Sequence, residues 1–290
     1  MSKSRLTKAL FALGIMLLAL NVPGLFTSLR NPDIYNEAGT LFLRDITLTE
    51  KRLHELLDAS PADRKAYVSL VNEAANQGIA HYWLDEGIDK YNLRVPLTEN
   101  YLLYAASYVH PKRFLKYEFA DYRKAVERGV GLCSQHAIVA AEILRQKGIS
   151  TRIIGLTGHV VATARVDDGK NEWWILDADY GVVIPHHIED IEKAPGIVAP
   201  YYRARGYDED VVATLVEIYG KEGNVVHPRR GCARLYAEEI LGREIDLRAR
   251  VADTACLDAS SAATDIPQAD ARYAGQFGAT RRIAMRFGPS

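Results

Sequence analysis

The stretch at residues 131–148, GLCSQHAIVAAEILRQKG, determines how the whole chain is interpreted. Its apolar and small residues recur at i, i+4, i+7, i+8 and i+11, which predicts a helix over residues 133–147 with one buried face. That face is formed by Cys133, Ala137, Ala140, Ala141 and Leu144. Lys147 in the last turn and Gly148 after it are typical of a helix end. The small side chains allow neighbouring elements to approach Cys133 closely.

After this helix the hydrophobic period changes from 3.6 to 2, which indicates β-strands. Four segments show the alternation: TRIIGL at 151–156, HVVATARV at 159–166, EWWILD at 172–177 and GVVIP at 181–185. In the second of them, His159 and Val161 face one side, and Val160 and Ala162 face the other. A helix followed by successive short strands predicts an α+β fold with an antiparallel sheet.

Cys133 has two interpretations. A cysteine in a helix is usually a small buried hydrophobe, and a lone histidine or aspartate at a strand end is usually structural. However, Cys133 lies on the first turn, where the backbone N–H groups converge and favour a thiolate. Whether it carries chemistry depends on a base and on a group that orients the base.

The hairpin between the second and third strands supplies both groups. A three-residue loop at 167–169, with Gly169 in the left-handed conformation, would set His159 directly opposite Asp177. A five-residue loop at 167–171 would set His159 opposite Asp179 instead. The Asp-Asp-Gly turn favours the shorter loop, although either aspartate could simply end the strand.

The candidate catalytic residues are therefore Cys133, His159 and Asp177. Cys133 would be the thiol nucleophile, His159 its base and Asp177 the group that orients the base. We expect Asp177 to favour the charged form of the imidazole. The imidazolium and the helix N-terminus should then lower the pKa of Cys133.

This part of the chain resembles the transglutaminase-like superfamily, whose fold is similar to that of papain-like cysteine enzymes, and specifically a membrane-anchored member of bacterial type. The resemblance covers about residues 125–185 and rests on GLCSQHA around Cys133, GISTR at 148–152, GHVVATARV around His159 and WWILDADYG around Asp177. It implies a nucleophile helix packed on an antiparallel sheet. It also implies that Cys133 is the nucleophile, His159 the base and Asp177 the third member of a triad.

The chain departs from the family pattern at two places. Many members have an aromatic and an acidic residue after the histidine, where this chain has Val160, Val161 and Ala162. The aspartate is often followed by proline, where this chain has Ala178. The departures affect the expected substrate class more than the expected chemistry, and the flanks do not imply calcium dependence.

The N-terminus predicts a membrane segment. Lys3, Arg5 and Lys8 precede an apolar run at residues 9–26, which is long enough to span a bilayer. No good cleavage site follows, so an uncleaved signal anchor is favoured over a cleaved signal peptide. The basic flank predicts that the rest of the chain lies outside the cytoplasm, in the periplasmic or extracellular space.

The chain then divides into five parts. Residues 1–30 are the signal anchor or signal peptide, 31–125 a helical region, 126–205 the transglutaminase-like core, 206–257 a helical extension and 258–290 a flexible tail. In the helical region, Thr47 with Glu50 predicts a capping box. A Ser-Pro start at residue 60 and Thr98 predict two further helix starts. A stripe of Tyr101, Tyr104 and Tyr108 is interpreted as core.

Composition excludes several functions. The net charge of −1 does not favour nucleic acid, and no phosphate-binding loop or HExxH motif is present. No cofactor and no metal ion are expected. Since the compartment should be oxidising, Cys232 and Cys256 are expected to form a disulfide.

Two functions from different classes fit these observations. The first is a membrane-anchored thiol enzyme of the cell envelope that cleaves or transfers amide or acyl bonds in a protein or peptide, with hydrolysis favoured over transamidation. The second is a non-catalytic module of the same fold that binds or scaffolds partners in envelope or polysaccharide assembly.

Overall fold

A computed structural model describes residues 3–35, 46–59, 63–82, 85–156, 158–220 and 225–227. The helices in these residues are α1 (Lys3–Asn21), α2 (Glu50–Asp58), α3 (Arg64–Gly78), α4 (Tyr101–Val109), α5 (Pro111–Phe114), α6 (Tyr122–Arg128), α7 (Cys133–Gln146), α8 (Ile188–Lys193), α9 (Ala199–Arg205) and α10 (Glu209–Gly220). The strands are β1 (Ala80–His81), β2 (Val130–Gly131), β3 (Thr151–Leu156), β4 (His159–Asp167), β5 (Glu172–Asp177), β6 (Val182–Ile184) and β7 (Val225–His227).

The main sheet has five antiparallel strands in the order β6-β5-β4-β3-β7. The prediction of an α+β chain with successive antiparallel strands is therefore confirmed. The predicted helix at 133–147 is α7, and all four predicted strands lie within one residue of their predicted bounds. Gly148 ends α7 with a φ of +76°.

The alternation along β4 assigns its two faces to two different cores. Val160 and Ala162 pack in one core together with Ala137 and Ala141 of α7. Val161 packs in the other core, with residues of α8, α9 and α10. The sheet therefore lies between two helical layers, and the small residues of α7 let it pack closely on β3 and β4.

The helix starts in the N-terminal region differ from the predicted ones. The cap of α2 is Thr49, whose hydroxyl accepts from the N–H of Arg52 at 3.3 Å, so the predicted pair of Thr47 and Glu50 is wrong. The cap of α4 is Asn100 rather than Thr98. In each case the capping residue lies two positions after the predicted one. Its side-chain oxygen accepts from the N–H groups of the first helical turn.

The tyrosine stripe of α4 is not core as a whole. Tyr101 and Tyr104 are half-buried, whereas Tyr108 is exposed. The buried residues of α4 are instead Leu103 and Ser107.

Two pairings of strands were not predicted. β1 pairs with β2 in parallel, with Ala80 opposite Val130 and His81 opposite Gly131. β7 pairs with β3 and so adds a strand to the sheet from the region interpreted as a helical extension. The sheet therefore extends past the predicted boundary at residue 205.

The N-terminal segment forms α1. The segment Ser4–Leu25 is long and apolar enough to cross a membrane, and its side chains are not buried against the rest of the protein. Such a helix is compatible with a membrane anchor or with a signal sequence. The predicted tail at 258–290, residues 228–257 of the predicted helical extension, and Cys232 and Cys256 lie outside the described residues.

Candidate functional site

The start of α7 positions Cys133. β2 leads directly into the helix, and Leu132 is its extended N-cap residue. Gly131 is required there, because a Cβ atom at this position would clash with the side chain of Gln135. Cys133 is the first residue of α7 and is only 4% exposed. The thiol therefore lies at the positive end of a 14-residue helix and is enclosed by protein.

His159 and Asp177 lie at the ends of neighbouring strands. His159 is the first residue of β4, and Asp177 is the last residue of β5. The Nε2 atom of His159 lies 3.0 Å from Oδ2 of Asp177, and both side chains are buried. The thiol of Cys133 lies close enough to the imidazole of His159 for each group to influence the pKa of the other. The structure thus brings the three candidate residues together in the order thiol, imidazole, carboxylate.

The strand register that was used to predict this contact is wrong. Ala162 pairs with Leu176, which is a shift of two residues from the three-residue-loop register. Extended to the strand end, this register sets His159 opposite Asp179, as the longer loop would. His159 nevertheless reaches Asp177, its diagonal neighbour, and diagonal neighbours on one face lie within reach of long side chains.

The loop itself explains the shift. Asp167 pairs with Glu172 across a four-residue loop, and a bulge between Arg165 and Asp167 changes the register. The residue with a left-handed backbone is Asn171, with a φ of +51°, and not Gly169. A bulge adds one residue to one strand only, so counting back from the loop cannot give the pairing at the far end.

The pKa of the thiol does not move in the predicted direction. Burial raises the pKa of Cys133 and outweighs the contribution of His159, which lowers it. Burial lowers the pKa of His159, but Asp177 outweighs it and holds the pKa well above the ordinary value. The enclosed pair therefore favours an imidazolium, as predicted, beside a protonated thiol.

Tyr202 and Tyr180 complete the surroundings of Asp177, and neither was predicted as a site residue from the sequence. The hydroxyl of Tyr202 donates to Oδ2 of Asp177 at 2.5 Å and lies 3.1 Å from the hydroxyl of Tyr219. The N–H of Tyr180 donates to Oδ1 of Asp177 at 3.2 Å. Asp177 is thus held by three groups, and the ring of Tyr180 lies edge-on to His159 with 5.4 Å between centroids.

Asp179 belongs to a second buried cluster beside the first. Its Oδ1 atom lies 2.6 Å from Nδ1 of His81 and 3.4 Å from Nδ1 of His136. Burial opposes ionisation of Asp179, but His81 and the other histidines keep its pKa far below the ordinary value. Asp179 therefore does not orient His159. It is the anion of the neighbouring cluster.

His136 has acceptors at both ring nitrogens. Nδ1 lies 2.9 Å from the carbonyl oxygen of Leu132, and Nε2 lies 2.9 Å from that of Ile79. Carbonyl oxygens only accept hydrogen bonds, so the two contacts are satisfied together only when both ring nitrogens carry a proton. These contacts tie the start of α7 to the end of α3, and the carboxylate of Asp179 lies beside the ring.

Polar side chains fix the backbone on the other side of α7. The side chain of Gln135 accepts from the N–H of Phe119 at 2.8 Å and donates to the carbonyl oxygen of Phe119 at 2.9 Å. Arg128, fully buried, donates to the Gln135 oxygen at 3.1 Å, and burial lowers its pKa to about 10. Ser134 donates to the carboxyl of Glu118 at 2.6 Å. The segment at 117–119 is thereby held against the first turn of α7, next to Cys133.

In the described residues, no group of three or more histidine, cysteine, aspartate or glutamate side chains is arranged to hold a metal ion.

Comparisons of the chain with models of protein families, with curated proteins and with solved structures gave no match. The functional interpretation therefore rests on the residues and their geometry.

Proposed function

We propose that this protein is a membrane-anchored thiol enzyme of the cell envelope that acts on amide or related acyl bonds through Cys133, His159 and Asp177. The observation that carries the proposal is the 3.0 Å contact between His159 and Asp177, with the same imidazole close to a thiol at a helix start. A transglutaminase-like or papain-like core is the family assignment that fits this arrangement.

In the proposed reaction the imidazolium–thiol pair first loses one proton to water. His159 then accepts the proton of the Cys133 thiol, and the thiolate attacks the carbonyl carbon of the substrate. The imidazolium then gives that proton to the leaving amine, and an acyl-thioester remains on Cys133. Water or a second amine resolves the thioester. Asp177 stabilises the imidazolium and keeps its ring oriented through Nε2.

Hydrolysis is favoured over transamidation because water is always present and no amine site is identified. Backbone N–H groups on the first turn of α7 are suitable donors for the oxyanion of the tetrahedral intermediate. The proposed substrate class is a protein or peptide amide, and the proposed site of action is outside the cytoplasm, where the basic flank of α1 directs the rest of the chain.

One observation favours the second candidate, a non-catalytic module that binds partners in envelope or polysaccharide assembly. Cys133 is 4% exposed, and burial raises the pKa of its thiol. An enclosed, protonated thiol is typical of a structural cysteine. An enzyme with this site requires that the substrate reach the enclosed thiol.

A peptide library incubated with the full chain, with and without a fluorescent amine, separates the candidates. Release of peptide fragments indicates a hydrolase, and incorporation of the amine indicates a transferase. Cys133→Ala is the matched control and should abolish either product. If wild-type protein and Cys133→Ala give the same products, the enzymatic proposal is wrong. It is also wrong if peptides bind to the protein but are never cleaved or modified.

A further inference from the structure

The exposed apolar side chains of the folded part are confined almost entirely to one element. Among the described residues after α1 and its connection, the exposed large hydrophobic side chains are Leu97 at 41%, Leu102 at 52%, Tyr108 at 60% and Val109 at 70%, together with Tyr35 at 37%. The first four lie on α4 or just before it, and we refer to them as the α4 face. No comparable group occurs elsewhere in this part of the chain.

The α4 face is a continuous apolar surface. Leu102, Ala105 and Val109 follow one another at i, i+3 and i+7 and are all exposed, while Leu103 and Ser107 turn inward. The nine residues of α4 carry no charged side chain. An exposed apolar side of this kind on a surface helix is typical of a surface that contacts a protein partner or a membrane.

The α4 face adjoins the point at which α1 leaves the folded part. α1 contacts α4, and Gly24 packs so closely on the carbonyl of Thr98 that a Cβ atom would clash there. Leu25 and Phe26, on the same connection, are 79% and 84% exposed. The membrane-spanning candidate and the apolar helix are therefore joined side by side rather than by a loose linker.

The residues around the α4 face are those that favour a lipid–water boundary. The hydroxyls of Tyr104 and Tyr108 lie 3.1 Å apart at the edge of the face, and tyrosine is enriched at the level of the headgroups. The guanidinium of Arg94 lies 4.5 Å from the ring centre of Tyr108. The exposed Lys112 follows directly on α5 and suits anionic headgroups.

We propose that the α4 face lies in the boundary between headgroups and acyl chains of the same bilayer that α1 enters. The folded part then sits on the membrane in one orientation, with Leu102 and Val109 in the lipid and Lys112 at the phosphates. This inference rests on the anchoring of α1, which is part of the proposed function, and is independent of the chemistry at Cys133.

Photo-crosslinking to lipid tests this surface directly. The full chain is inserted into vesicles of phosphatidylethanolamine and phosphatidylglycerol with the photoreactive residue benzoylphenylalanine at one position per variant. The positions are Val109, Leu102, Leu18 of α1 as the control for anchoring, and Lys193 of α8 as the control for a solvent-facing site. Lys193 has a side chain that is 77% exposed and lies on the other helical layer.

The expected result is lipid adducts from positions 18, 102 and 109 and none from position 193. Lipid adducts from position 18 without any from 102 and 109 would show that α1 enters the membrane but that the α4 face does not contact it, which would overturn the proposal. Adducts between two protein chains from position 109 would also overturn it, because a second copy would then cover the face. If position 18 gives no lipid adduct, both the anchor and the surface are wrong.

Discussion

At the scale of single residues, two aspartates two positions apart have different surroundings. Asp177 bonds to His159 and Tyr202, whereas Asp179 bonds to His81 and lies beside His136. Both carboxylates are buried, so neither can be replaced without consequence. Replacing Asp177 should affect the reactive pair of His159 and Cys133, whereas replacing Asp179 should affect the stability of the fold.

Asp177→Asn should lower the single-turnover rate by roughly 10⁴-fold, because the imidazole loses its counter-charge and its orientation. Asp177 raises the pKa of His159, so the substitution lowers that pKa. The reactive form has one proton fewer than the imidazolium–thiol pair. The wild-type rate should therefore rise with pH above about 6.5, and the residual rate of the variant should rise at lower pH. Identical pH profiles would contradict the role of Asp177.

Asp179→Asn should lower the rate per folded molecule by less than about tenfold and destabilise the fold by about 3–5 kcal/mol, because it removes the buried carboxylate that pairs with His81 and lies beside His136. The pKa of Asp179 is depressed in the folded state. Its contribution is therefore present above the unfolded pKa of about 3.9 and is lost as the pH falls toward the folded value. Urea unfolding at two pH values measures both effects. A rate loss larger than that of Asp177→Asn would assign the orienting role to Asp179.

At the scale of elements, the sequence predicted what local periodicity determines. β5 has its predicted bounds, and α7 starts at Cys133 as predicted, because each pattern lies within one continuous segment. The register of β4 on β5 could not be predicted, since it depends on a bulge next to the hairpin loop. β1 and β2 could not be predicted either. Two-residue strands show no alternation, and their pairing joins segments 50 positions apart.

The same distinction applies to the site. Cys133, His159 and Asp177 carry motif signals within 45 positions. Tyr202 arrives from α9 and His81 from β1, and no local pattern in the sequence relates either residue to Asp177 or Asp179. Residues that support a site from other elements become visible only once the packing of those elements is known.

Cys133→Ala should leave α7 and the fold intact while abolishing turnover. The residue packs in the same core as Ala137, Ala140 and Ala141, so an alanine fits that environment. The free energy of unfolding should change by about 1 kcal/mol. Cys133→Ser should also be inactive, because His159 is matched to a thiol. Thermal unfolding and the peptide assay together measure this, and full activity in Cys133→Ala would remove the nucleophile from the account.

At the scale of the whole molecule, the N-terminal helix carries the prediction of where the site operates. The basic residues at the start of α1 predict that the chain after this helix lies outside the cytoplasm. A reporter enzyme that is active only outside the cytoplasm, fused to the C-terminus, should be active. A matched fusion of a reporter that is active only inside should be silent. The reverse pattern would place the site in the cytoplasm and contradict the envelope assignment.

The central claim is that His159 activates the thiol of Cys133, and alkylation tests it without knowledge of the substrate. Native full-length protein is treated with iodoacetamide at neutral pH, and the label on Cys133 is followed by peptide mass mapping, which separates it from Cys232 and Cys256. His159→Gln should slow labelling of Cys133 by at least about tenfold, and Cys133→Ala should remove that labelled peptide. Equal labelling rates at Cys133 in the wild type and in His159→Gln would contradict the account, because the imidazole would then have no influence on the thiol.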